Sequence, residues 1–176
     1  MPVPFTDPPF DPDHAPYDGD ERQVVTWLLD HHRRVFLRNL DGITEAQARR
    51  TIAASDLTLI GLARHMGFVE QHWFGNVFLG SVGSGEDWHY DDSTDPDRFP
   101  SVGARHAGRR GRDPARGDRA RTCAHCDTGF DVVAAKSREG RPVNLRWILV
   151  HLVEEYARHC GHADLIRQAI DGSVGD

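Results

Sequence analysis

WILVHLVEEYARHCGHADLIRQAI, residues 147–170, is a helix by its spacing. Trp147, Ile148, Leu149, Leu152, Val153, Tyr156, Ile166 and Ile170 supply an apolar face to bury. Through the same helix run His151, Glu155, His159 and His162, at successive spacings of four, four and three residues. At 100° per residue, these four fall within an arc of roughly 80°. A row of imidazoles and a carboxylate on a core-forming helix needs a polar partner. A divalent transition metal suits that donor set, because imidazole nitrogen and carboxylate oxygen are among its standard ligands. Asn144 is placed to cap the helix at its start, and Gly172 to stop it as the residue after its end.

Working back along the chain, Thr58 caps a second long helix that extends to about Leu79. Its apolar positions, Leu59, Leu62, Met66, Val69, Trp73 and Val77, keep the same three-four rhythm. His65, Val69 and His72 lie on one side of that stripe. His72 is two turns beyond His65, roughly 10 Å along the axis, and too distant to share an ion with it. The first helix is predicted from about Asp20 to Leu40, capped by Asp18 or Asp20, with Val24, Leu28, Val35 and Phe36 as its inner stripe. Thr44-Glu45-Ala46-Gln47 has capping-box spacing and starts a short helix through about Arg50. Trp73 and Trp147 are expected in the core, and His31 and His32 at the edge of the first helix. No segment alternates convincingly as a strand. The chain is therefore read as an all-α bundle with three strong long helices, lacking a clear fourth.

The fourth helix belongs between Val82 and Gly140, but residues 101–126 read SVGARHAGRRGRDPARGDRARTCAHC. Seven arginines against two acidic residues make this tract about +5, within a chain whose net charge is −6. It has no apolar period and reads as an irregular, exposed loop. A basic nucleic-acid arm is the competing reading, disfavoured because no aromatic residues are interleaved to stack on bases. Cys123-Ala124-His125-Cys126 has zinc-knuckle spacing, but only His106 and His125 are near enough in sequence to complete four ligands. The cysteines are accordingly read as free thiols.

A chain of 176 residues can bury one real core. The acidic balance gives no global case for nucleic-acid binding, and no apolar run is long enough for a membrane span. The first 17 residues, rich in proline and aspartate, are read as an extended arm and not as a signal peptide. Three cysteines without such a signal point to a reducing cytoplasm.

GLARHMGFVEQHWF, residues 61–74, followed by VNLRWILVHLVEEYARHCGHADLIRQAIDG, residues 143–172, resembles the mini-circle protein family of actinobacteria. That family belongs to the DinB-like superfamily of metal-binding antiparallel four-helix bundles. The resemblance covers about residues 17–82 and 140–172. It implies one domain over 1–176, with 1–17 as the arm and 83–139 as an Arg/Gly-rich insert or degraded third helix. The tract there looks like an out-of-frame stretch of a GC-rich gene, with family-like sequence resuming by about Arg138.

The resemblance also implies a metal triad of His65, Glu155 and His159. Glutamate at the middle position is similar to the mycothiol-dependent maleylpyruvate isomerase branch. His151 and His162 then fall beside the ion as catalytic or pocket residues, with His162 a direct ligand if Glu155 points away. From the residues alone other readings stay open: His65 as a hydrogen-bonded core histidine, and Glu155 paired with Arg158 or Arg64. The implied cofactor is zinc, nickel or another divalent ion, with mycothiol as co-substrate. The implied reaction is thiol transfer to an electrophile, or thiol-assisted isomerisation, in a monomer or homodimer. Arg64, Arg146 and Arg158 are candidates to hold a substrate carboxylate. The alternative is a stress protein of the same fold that binds a metal or metabolite without catalysis.

Overall fold

The computed structural model describes residues 14–80 and 128–175. Among these the chain is all-α, with no strand beyond isolated bridges. Helix α1 spans Glu21–Arg38, the single turn α2 spans Glu45–Ala48, α3 spans Leu59–Glu70, and α4 spans Leu145–Asp171. Without a break, α3 continues as a π-helix over Gln71–Phe78. The Arg/Gly-rich tract, the Cys123–Cys126 pair and most of the N-terminal arm lie outside the described residues.

The helix boundaries follow from capping chemistry. Asp20 accepts from the Gln23 backbone while the Gln23 side chain returns a bond to Asp20, which completes a capping box; Thr44 and Gln47 repeat it at α2. Thr58 and Asn144 accept from Gly61 and Trp147, so each new helix has a first-turn N–H satisfied. At the other end of α4, Gly172 adopts φ 81°, the left-handed stop that a side chain would disfavour.

Helix α4 packs against both α1 and α3. Arg146, at the start of α4, pairs with Glu21 at the start of α1, and Asp164, further on, accepts from Asn39 at the end of α1 at 2.7 Å. Thus α1 and α4 run in the same direction. By contrast His65 meets His159, and Trp73 meets Trp147, so α3 is antiparallel to α4. The antiparallel arrangement expected throughout therefore holds between α3 and α4 and not between α1 and α4.

All six apolar positions read on α3 are buried, and Ile148, Leu149, Leu152, Tyr156 and Ile166 carry the core face of α4. Two expectations fail. The inner stripe of α1 is rotated, with Leu29 and Phe36 in the core beside Arg33, while Val24 and Leu28 are only partly covered. Trp147 is 42% exposed and is no core residue. The cause on α1 is Arg33, a charge on the inside of the helix, which breaks the apolar period by which an inner face is recognised.

Arg33 is 3% exposed and donates from Nε to Glu70 Oε1 at 2.7 Å, while Tyr156 Oη donates to the same oxygen at 2.8 Å. Asp30 adds a second carboxylate at 2.9 Å. Burial works to lower the Arg33 pKa, but Glu70, Tyr156 and Asp30 raise it more, which keeps the guanidinium charged.

The segment from Thr128 to Asn144 is packed, although not helical. Phe130, Ala134 and Val143 are buried, and Arg22 lies over the Phe130 ring at 4.5 Å while donating to the Thr128 carbonyl at 2.6 Å. Ala135 and Lys136 donate to the Phe78 and Val77 carbonyls, satisfying acceptors at the end of the π-helix. Arg138 and Arg141 exchange backbone bonds around Glu139 and Gly140, both at positive φ. Packed chain thus begins about ten residues before Arg138, where the resemblance resumes.

Removing one member of the buried pair strands the other charge. Arg33→Ala should cost about 3–5 kcal/mol in urea unfolding, and replacing both Arg33 and Glu70 with Met should recover most of that loss. An Arg33→Ala protein as stable as the parent would overturn this account of the core.

Candidate metal centre

The site lies where α3 and α4 face each other. His65 is on α3, nearly two turns after its start at Leu59, and Glu155 and His159 are on successive turns of α4. The His65 and His159 rings meet edge to face, with centroids 4.7 Å apart. Glu155 Oε2 lies 3.6 Å from His65 Nε2 and 3.4 Å from His159 Nε2. One ligand atom from each of the three residues lies within 4.8 Å of the others.

These separations are too long for good hydrogen bonds, which for N–H···O centre near about 2.9 Å. The two distances from Glu155 come near the edge of a metal polyhedron. Ligands at about 2.0–2.1 Å from a tetrahedral ion are separated by roughly 3.3–3.4 Å. The three side chains fit a divalent ion, and a fourth position would stay open to a ligand.

The electrostatics agree. Burial lowers the His65 pKa below its ordinary value, against the opposing pull of Glu155. Burial also lowers His159, helped by His65 and opposed by Glu155, to about 4. Both imidazoles are thus neutral near pH 7, the state in which histidine binds metal. Neither forms a true ion pair with Glu155 at that pH. The carboxylate faces two neutral rings, an arrangement that a cation completes.

The neighbouring histidines have defined places. His162 Nδ1 is 3.3 Å from His159 Nδ1. With Nε2 of His159 turned to Glu155, its Nδ1 proton can be donated to His162, which fixes the tautomer. His151 Nε2 is 3.5 Å from Glu155 Oε1, the carboxylate oxygen turned away from the triad, and its Nδ1 is 3.4 Å from the exposed Glu154. His151 stacks on Trp147 with centroids 4.8 Å apart and meets Trp73 edge-on at 5.0 Å. His72 does not join the triad; it packs on Phe68 and Trp73.

Of the arginines considered for a substrate carboxylate, Arg158 pairs with Glu154, and Arg146 is held by Glu21 and Asp131. Cys160 follows His159 in sequence but is no nucleophile. Burial and Asp164 push its thiol up to about 12, and it donates to the His32 carbonyl at 3.3 Å. Two groups went unnoticed in the sequence. One is the Arg33–Glu70–Tyr156 cluster, signalled only by Glu70 standing as the sole acid among residues 59–78. The other is Arg138, whose guanidinium lies 5.3 Å from both the Trp73 and Trp147 rings and which no local spacing connects to them.

A family model described as mycothiol-S-transferase matches residues 24–172. No curated protein matches the chain. No helix among the described residues is long and apolar enough to cross a membrane.

The lowered histidine pKa values set a pH dependence. His65 and His159 bind protons less readily in the folded chain than in the unfolded one, so folding is favoured most above the ordinary value of 6.5. As pH falls from there towards about 4, the unfolded state takes up protons first and stability declines. Urea unfolding of chelator-treated protein across this range should show the fall, and His159→Gln should flatten much of it. A profile level through the range, or one unchanged by His159→Gln, would contradict the assignment.

Proposed function

The chain belongs to the mycothiol-S-transferase family, and from that premise we propose that it transfers a low-molecular-weight thiol of the mycothiol type to an electrophile, at a divalent metal held by His65, Glu155 and His159. The observation that carries the metal-dependent reading is Glu155 Oε2, shared at 3.4 and 3.6 Å by two neutral imidazoles. Family membership further supports a DinB-like bundle for the whole chain, of which α1, α3 and α4 are the described long helices.

A zinc-type ion with three protein ligands and an open position lowers the pKa of a thiol bound there, and so favours the nucleophilic thiolate. The rest of the task falls to the chain. His65 and His159 supply neutral nitrogens and spend nothing on losing protons. Glu155 would offset the positive charge of such an ion, and His151 Nε2 stands 3.5 Å from its Oε1. His162 holds His159 in the tautomer that leaves Nε2 free. His151 is the group best placed to take a thiol proton, since its far nitrogen faces Glu154, which is open to solvent and can relay the proton outward. Val69 and Trp73 keep the adjoining face of α3 dry, which strengthens these interactions.

Elemental analysis and a thiol-transfer assay separate binding from catalysis. His65→Ala and His159→Ala should each release most of the metal. Glu155→Gln and His162→Ala should weaken metal binding by about 10- to 100-fold without unfolding the protein. His151→Ala should keep its metal and lose about 100-fold in turnover of mycothiol with an aryl halide. Full metal occupancy in both His65→Ala and His159→Ala would defeat the proposed centre. Full turnover in His151→Ala would remove that residue from the reaction.

A further inference from the structure

Beside the triad lies a second constellation, in which Trp147 and Arg138 have no part in the thiol chemistry. Trp73 and Trp147 meet with ring centroids 5.0 Å apart, and His151 touches both. Trp73 is buried, whereas Trp147 keeps 42% of its surface open. A half-open indole beside a second one offers a flat apolar surface on which an aromatic ring can stack. Arg138 lies over the rim of this wall at 5.3 Å from each ring, presented by the tight turn at Glu139 and Gly140.

The Arg138 guanidinium lies over the rings, and among the described residues no carboxylate comes closer to it than Glu139. Its contact with Glu139 is 3.8 Å, through Nε, between two exposed side chains. Such a pair contributes little to holding the guanidinium. Positive charge also converges here within a chain of net charge −6. The His72 pKa is lowered by burial first, and then by Arg138, Lys136 and His151. An aromatic wall supplies a stacking surface, and a guanidinium on its edge supplies a planar fork for an oxyanion.

We propose that Trp147, Trp73 and Arg138 form the binding wall for the electrophilic co-substrate, and that this co-substrate is an aromatic or similarly flat acid. Its ring lies on the open surface of Trp147, and its carboxylate takes a two-point bond from Arg138. His151 joins the wall to the triad, since it stacks on Trp147 and faces Glu155 at 3.5 Å. The proposal rests on the thiol-transfer reading and names the class of its second substrate. It also gives Trp147 and Arg138 a role in specificity that the metal ligands do not have.

The test is calorimetric titration of zinc-loaded protein with 2-naphthoate and with its neutral counterpart, 2-naphthamide. The acid should bind at least tenfold more tightly than the amide. Arg138→Gln should weaken the acid by about tenfold and leave the amide unchanged, while Arg138→Lys should recover part of the loss. Trp147→Ala should weaken both. Thermal melting would first establish that each variant is folded. Equal binding of acid and amide, or acid binding indifferent to Arg138→Gln, would overturn the proposal.

A carboxylate could also bind the metal itself, so the same titrations are repeated with His65→Ala. Retained acid binding in that variant supports a wall separate from the ion. Acid binding lost in His65→Ala and intact in Arg138→Gln would assign the carboxylate to the metal and defeat the wall, while leaving the thiol-transfer reading standing. If thiol transfer itself failed in the parent protein, the wall would still be judged by the naphthoate data alone.

Discussion

Glu70 is a single buried carboxylate that joins three helices. It accepts from Arg33 on α1 and from Tyr156 on α4, and it stands at the last residue of α3 before the π-helix begins. A charge this deep must be paired, and its partners are fixed by geometry: a guanidinium fork on one side and a phenol on the other. Apolar surfaces can slide against each other with little change in energy, but these bonds cannot. The cluster therefore sets the rotation of α1 and α3 about their axes and their height against α4. Arg33 can occupy the inside of α1 only because Glu70 is there to receive it.

The candidate centre inherits that alignment. Tyr156 follows Glu155 directly, and Glu70 is five residues beyond His65. Fixing Tyr156 on Glu70 fixes the level at which Glu155 and His159 of α4 face His65 of α3. A metal site needs its donors correct to a few tenths of an ångström, and such accuracy comes from supporting side chains whose own positions are locked. Here His162 stands beside His159, and His151 beside Glu155. The triad is thus one layer of a polar seam that also holds the helices in register, with the aromatic wall of Trp73 and Trp147 closing it at the end nearer the start of α4.

The π-helix extends this logic. A local widening of the helix is uncommon and is often found at functional sites. In this chain it starts immediately after Glu70 and carries His72 and Trp73. Its last carbonyls are satisfied by Ala135 and Lys136, two residues before the turn that presents Arg138. The same backbone pairing that ends α3 therefore also brings an arginine from a distant part of the sequence over the indoles. The end of the π-helix and the indole pair share one set of contacts at this end of the bundle.

Much of this was readable in the residues. Asp18 or Asp20, Thr44, Thr58 and Asn144 mark where helices begin, because capping is decided by a side chain and the two or three residues after it. The stripes of α3 and α4 were legible because periodicity is local. The row of His151, Glu155, His159 and His162 was visible for the same reason, and His65 was matched to it through family resemblance. The inner face of α1 was misread because its period contains Arg33, whose burial makes sense only beside Glu70, 37 residues away. The exposure of Trp147, the direction of α1 relative to α4, and the meeting of Arg138 with two tryptophans depend on how separate segments pack. Sequence alone determined the helices and the polar row on the last of them, since those follow from interactions between near neighbours. Tertiary structure alone decided which nitrogen faces which oxygen, since that depends on distances across helices that no spacing along the chain encodes.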